Sequence, residues 1–307
     1  MIGWTVVYNK VLDLEQYNRD QANAELAARL AAPSAHLRAQ LNAFSDIASA
    51  GGLSNVLSML SSGMMMMNGM ANDPSMLNCA SVLAGDAFYA TNTTVTDVAA
   101  VNDMLVQATA GNGTRMVAVP GVGDLVGTPS VGDLESLFAA STNAETPDST
   151  GSLTWVLSNV KKADGNALAS TSEFAVVVAD DIRFGFVGVV SNPSTADYIY
   201  ESAAAAVARV ATAHSAEYDV LVVVSHMVDS AMFTKVDPAS PTGLPANIVV
   251  SGGHFAYNYM VENGKNVVAT AGMDKYISSV DVMALRVSPA AYTAMASPHS
   301  VDSMMSM

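Results

Sequence analysis

The chain has 307 residues, half of them hydrophobic and 13% charged, enough apolar material to bury a sizeable core in one large α/β domain or two small ones. Against 13 Lys and Arg stand 28 Asp and Glu, and this acidic balance repels a phosphate backbone and argues against nucleic acid as a partner. The longest apolar runs, such as Val220–Val224, are strand-sized and fall short of the roughly 20 residues a membrane-spanning helix needs.

The single cysteine, Cys79, excludes an intrachain disulfide framework and leaves the redox compartment open. No basic start or apolar leader precedes Thr5–Tyr8, so the chain reads as cytosolic or as an extracellular or cell-surface protein whose leader has been removed. Asn92 and Asn112 open glycosylation sequons that matter only in the second case.

In chain order, Trp4–Tyr8 reads as a first strand, and Glu15–Ala32 and Ser34–Ala48 as two Ala/Leu-rich helical segments meeting at Pro33. Residues 51–74, with Met64–Met67 among Ser, Gly and Asn, read as an insertion. Cys79–Ala84 returns to order, Asp97–Thr109 is helical, Arg115–Val119 is a strand and Asp133–Ala140 a helix. Ser141–Ser152 is a polar connection. Phe174–Val178 and Ile182–Val190 form a hairpin around Ala179-Asp180-Asp181, followed by a helix over Tyr200–His214. Val220–Val224, Ile248–Val250, Val267–Thr270 and Val280–Val287 are successive strands, with Asn263-Gly264 as a turn between the second and third. Helix-linked strands early and hairpin-linked strands late predict an α/β fold of two packed, mixed β-sheets flanked by helices, in one domain over 1–290 with a tail at 291–307.

Three polar side chains follow apolar strands: Asp86 after Leu83-Ala84-Gly85, His226 after Val224-Ser225, and His254 after Gly252-Gly253. Strand ends are where α/β folds gather ligands, and one carboxylate with two imidazoles suits a single divalent Zn, Mn or Fe ion. Each is also explained by a hydrogen-bonded structural role. Met64–Met67 suits Cu(I) through its thioethers, but apolar filling of a core or subunit contact is the ordinary use of such a run. With the terminal Met304-Met305-Ser306-Met307 it predicts self-association into a homo-oligomer or polymer. Gly121–Gly127 lacks the Lys-Ser/Thr of a phosphate loop and reads as a turn. His36, His214 and His299 lack partners at metal or triad spacing, and no serine sits in a nucleophile elbow.

Asp219–His226, Asn247–His254 and Ala271–Tyr276, together with Ala84-Gly85-Asp86-Ala87-Phe88 and Leu157-Ser158-Asn159-Val160, resemble the motifs of the 5'-nucleotidase-type catalytic domain of the calcineurin-like metallophosphoesterases. That resemblance implies a four-layer αββα sandwich and two metal ions bridged by an aspartate, a pair that orients a phosphate and generates a hydroxide nucleophile. Carried over, Asp86 is the bridging carboxylate, and His226 and His254 are ligands of one ion. At the other family positions the chain departs. Lys10 and Leu12 fall where an Asp-x-His motif belongs, Val122 and Gly123 where Asn and His belong in Gly121–Asp124, and Ala256 where the last histidine belongs. Gly111-Asn112-Gly113 is a rival placement that restores the Asn alone. Lys10 at the vacated metal position predicts a cation in place of a cation. The resemblance thus implies a degenerate pseudoenzyme with a structural, filament-forming or other self-assembly role. The alternatives are a single-metal phosphohydrolase at Asp86, His226 and His254, and a module that binds a small phosphorylated ligand without cleaving it.

Overall fold

The computed structural model describes residues 35–45, 47, 54, 79–89, 100, 101, 103, 105, 115–142, 152–179, 182–226, 248–252, 258–262, 265–269 and 278–286. Fourteen strands in chain order are β1 Ala35–Phe44, β2 Cys79–Ala84, β3 Arg115–Val119, β4 Ser152–Val156, β5 Val160–Lys162, β6 Thr171–Ser172, β7 Ala175–Ala179, β8 Ile182–Val190, β9 Tyr198–Tyr200, β10 Val220–His226, β11 Ile248–Gly252, β12 Asn258–Glu262, β13 Lys265–Ala269 and β14 Ser278–Arg286. The helices described over their whole length are α1 Val122–Gly127, α2 Val131–Ser141 and α3 Ala203–Ala213.

The strands build two six-stranded sheets, ordered β14-β1-β2-β3-β4-β6 and β12-β13-β11-β10-β8-β7, with a two-stranded β5-β9 pair beside them. Both large sheets are mixed: β1 to β4 run parallel while β14 is antiparallel to β1, and β8, β10, β11 and β13 run parallel while β7 and β12 are antiparallel additions. The two-sheet α/β architecture predicted above is therefore present.

The second sheet shows why its sequence is nearly all apolar. Along β10, Val220, Val222 and Val224 enter the large core, while Leu221 and Val223 join a separate cluster with α3. A parallel strand covered on both faces has no polar face to show, so it reads as an unbroken hydrophobic run. β8 divides in the same way, with Phe184 and Phe186 inward and Val187 and Val189 toward α3. Helix α3 is capped by Ser202, whose side chain accepts the Ala205 N–H, and it lays Ala203, Ala206, Val207, Val210 and Ala211 on that face. On the first sheet, α2 seats Phe138 against Trp155 at 4.4 Å between ring centroids, and the Trp155 indole N–H donates to Ser141 Oγ at 2.7 Å.

Two close contacts fix the sheets against each other. Gly188 of β8 lies so near the Val156 carbonyl and Val119 that a Cβ there would overlap both. Asn159, buried after β4, donates its Nδ2 to the Val190 carbonyl at 2.8 Å and accepts the Val190 N–H on Oδ1 at 3.0 Å. It thereby replaces one residue of a neighbouring strand at the end of β8.

Several expectations are corrected. Ser34–Ala48 is not a helix: β1 occupies 35–44, with Ala39 and all of Leu41, Asn42, Ala43 and Phe44 buried, because pairing of β1 with β2 and β14 overrides the helix propensity of Ala and Leu. β4 and β12 were not anticipated. Asn263-Gly264 joins β12 to β13, whose pairing closes at Glu262↔Lys265, and not β11 to β13. Gly121–Gly127 begins a helix and is not a turn. The expected helix over Asp97–Thr109 is described only at Ala100, Val101, Asp103 and Leu105, all helical, and the runs at 4–8, 15–32 and 51–74 lie almost wholly outside the described residues.

Asn159→Ala would strand a buried N–H and a buried carbonyl at once. A loss of about 2 to 4 kcal/mol in urea unfolding is expected, and a loss below about 1 kcal/mol would show that water replaces the amide.

Candidate functional site

The candidate site forms where the carboxyl ends of β2 and β3 meet those of β8 and β10. His226 is the last residue of β10, in register with Val190 of β8 and Gly252 of β11. Asp86 stands two residues beyond β2, in a turn where Gly85 and Asp86 both take positive φ, 94° and 49°. Gly85 suits that conformation, and it is also needed for space, since a Cβ there would overlap the His226 ring. The turn is tied to β1 by the Ile47 N–H, which donates to the Asp86 carbonyl at 3.0 Å.

Asp86 and His226 are both completely buried. Oδ1 of Asp86 accepts the Gly123 N–H at 2.8 Å, and Oδ2 lies 3.6 Å from His226 Nε2, an ion-pair distance when the imidazole is protonated. Gly121 packs so closely on Asp86 that a side chain there would run into Oδ1. Two of the three residues expected to gather at the strand ends are thus brought together.

A second acidic residue, which the resemblance placed only as the acid of the Gly121–Asp124 motif, organises this place. Asp124, in the first turn of α1, is fully buried and accepts four backbone N–H bonds. Phe88 and Tyr89 donate to Oδ1 at 2.8 and 2.9 Å, and Ala87 and Gly121 donate to Oδ2, each at 3.0 Å. The signal was legible as Gly121-x-x-Asp124, a helix N-cap followed three residues later by an acid that reaches back to it. Burial, and then the Asp86 carboxylate beside it, push Asp124 up to about 6, against the pull of the N–H donors of Gly121, Phe88 and Tyr89.

Val122 and Gly123 open α1, the first nearly buried and apolar, the second contributing only its N–H to Asp86. Lys10, Leu12, His254 and Ala256 lie outside the described residues, as do Asn112 and Met64–Met67. The placement of Lys10 supposed that Trp4–Tyr8 is the strand beside the one bearing Asp86. That place belongs to β1, which runs parallel to β2. The residues that follow it in the chain are Ser45, Asp46 and Ile47, so the acid next in sequence to that strand is Asp46.

The donor set bears directly on a metal centre. Among the described residues, no group of three His, Cys, Asp or Glu side chains is placed to hold an ion. Asp124 is adjacent, but each of its oxygens already takes two N–H bonds. Asp86 and His226 by themselves fall short of the three or four protein ligands of a zinc site and do not fit a two-ion centre.

Asp124 gives the site a pH signature. Its ordinary value is 3.8 and its folded value about 6, so between the two the folded chain keeps a proton that the unfolded chain releases. This contribution to stability is complete below about pH 4, declines as the pH rises to about 6 and is flat above. Relative to Asp124→Asn, the wild type should lose stability of the order of 2 to 3 kcal/mol between pH 4 and pH 6.5. Parallel stability curves would contradict this.

Neither a protein-family model nor a curated protein matches the chain. Solved structures do. A proposed 5'-nucleotidase from Staphylococcus aureus, in complex with α-ketoglutarate, superposes with a TM-score of 0.56 at 10% identity, covering 81% of this chain and 53% of that one. A 5'-nucleotidase precursor from Thermus thermophilus gives 0.54 at 14%, covering 83% and 55%. The sulfate thiohydrolase SoxB of Thermus thermophilus, in complex with glycerol, gives 0.55 at 12%, covering 86% and 59%. The chain therefore spans little more than half the length of these proteins. A nucleotidase and a sulfate thiohydrolase share the architecture, so it does not fix the reaction. The fold of this chain is the calcineurin-like metallophosphoesterase α/β sandwich, as the resemblance in its strand-end motifs implied.

Proposed function

We propose that this chain is a non-catalytic metallophosphoesterase-fold protein, a structural or self-associating subunit at a cell surface or in an extracellular polymer. The observation that carries the loss of chemistry is the hydrogen bond from the Gly123 N–H to Asp86 Oδ1 at 2.8 Å. By the resemblance, Gly123 stands where the family has a catalytic histidine, and Val122 where it has a metal-binding asparagine. Gly123 has no side chain to offer a phosphate, and its backbone instead takes one oxygen of the carboxylate that would bridge two ions. Val122 has no donor atom. Self-association is supported by the low charge, 13% of residues, and by the methionine runs at 64–67 and 304–307.

A second reading has one observation in its favour: Asp86 and His226, which the sequence separates by 140 positions, do converge, 3.6 Å apart. A single ion held by them with His254, and water or substrate completing its shell, would make a phosphohydrolase.

The two are separated by assaying the purified chain with a phosphomonoester and a phosphodiester in the presence of Mn, Zn or Fe(II), alongside His226→Ala. No turnover above the His226→Ala background is expected. Turnover that His226→Ala abolishes would establish the hydrolase. Light scattering tests the subunit role independently: mass should rise with concentration, and a strict monomer over the whole range would contradict assembly.

A further inference from the structure

Ala87, Phe88 and Tyr89 are consecutive, and their three N–H groups converge on one carboxylate 35 to 37 positions away in the chain. Gly121, in the loop after β3, adds a fourth donor. Successive backbone N–H groups pointing into one concavity form an anion-binding nest. An ordinary helix-capping interaction accounts for the Gly121 bond alone. The three donors from the β2 turn have no part in ending a helix.

The number of donors restricts what can fill the space. Four N–H groups arriving two to each oxygen require two acceptor oxygens, and among side chains of this length only a carboxyl group offers both. An amide has one oxygen, and its NH2 would face two donors. Shape-filling by a neutral side chain would leave buried N–H groups without an acceptor.

We propose that the turn at 86–89 and Gly121 form an oxyanion nest whose built-in ligand is the Asp124 carboxylate, and that this anion positions the turn bearing Asp86. The nest has the chemistry of a small carboxylate site: when the side chain at 124 is cut back, free formate occupies it. This holds whether or not the centre hydrolyses a phosphate ester. Asp124 is a positioning residue, acting through the backbone of the Asp86 turn.

The test is chemical rescue at pH 7.5, above the titration of Asp124. Urea unfolding of Asp124→Gly is followed by circular dichroism in rising sodium formate, with sodium chloride and formamide at matched concentrations as controls. Formate is expected to raise the midpoint of Asp124→Gly beyond either control. Above its dissociation constant, each tenfold increase in formate should multiply the folded-to-unfolded ratio about tenfold. The wild type should respond alike to formate and chloride. If Asp124→Gly is unfolded in buffer, formate should restore the folded spectrum. Asp124→Asn, which keeps the space filled, should be destabilised and gain nothing from formate. Wild-type stability in Asp124→Asn, or an Asp124→Gly chain that responds to formate no more than to chloride, would overturn the assignment.

Discussion

One carboxylate holds together the parts on which the site depends. The turn after β2 carries Asp86 in a left-handed conformation that is uncommon outside glycine, though Asp tolerates it better than most residues. The loop after β3 brings Gly121 and Gly123 against that aspartate. Asp124 bonds to both segments and so fixes the ends of two adjacent parallel strands relative to each other. Its burial next to Asp86 costs free energy, which shows in its raised pKa of about 6, and the four N–H bonds offset that cost.

The rest of the architecture serves the same junction from the other side. β10 presents His226 to Asp86 only because the second sheet is packed tightly against the first, and glycine at 85 and 188 is what permits the approach. Asn159 finishes the end of β8 beside His226, supplying the hydrogen bonds of a strand residue where no strand continues. Overpacking at either contact would separate the sheets by more than a hydrogen bond tolerates.

How much of this the sequence discloses depends on whether a segment's pattern is dictated locally. β8 and β10 were legible because a strand buried on both faces has to be apolar throughout, and β7 because it follows with β8 as an alternating hairpin. β1 was not legible: it is written largely in Ala and Leu, residues that favour helices, and only its neighbours in the sheet decide the matter. Asp86 and His226 stood out because each follows an apolar strand directly. Asp124 was placed only as the acid of the Gly121–Asp124 motif, and its bonds to the β2 turn were not legible, since no sequence spacing links it to Ala87, Phe88 and Tyr89.

Among the described residues, the oxygens of Asp86 and Asp124 meet protein groups. Gly123 N–H and His226 face the two oxygens of Asp86, and the backbone surrounds Asp124. Whether those contacts stand in for metal is the central claim, and it is settled most directly by a crystal structure grown in excess Mn or Zn with anomalous data collected at the metal's edge. No anomalous peak is expected within about 2.5 Å of Asp86 or His226, the range of a coordinate bond, and the hydrogen bond from Gly123 to Asp86 should be intact. An ion between Asp86 and His226, with that bond broken, would contradict that claim.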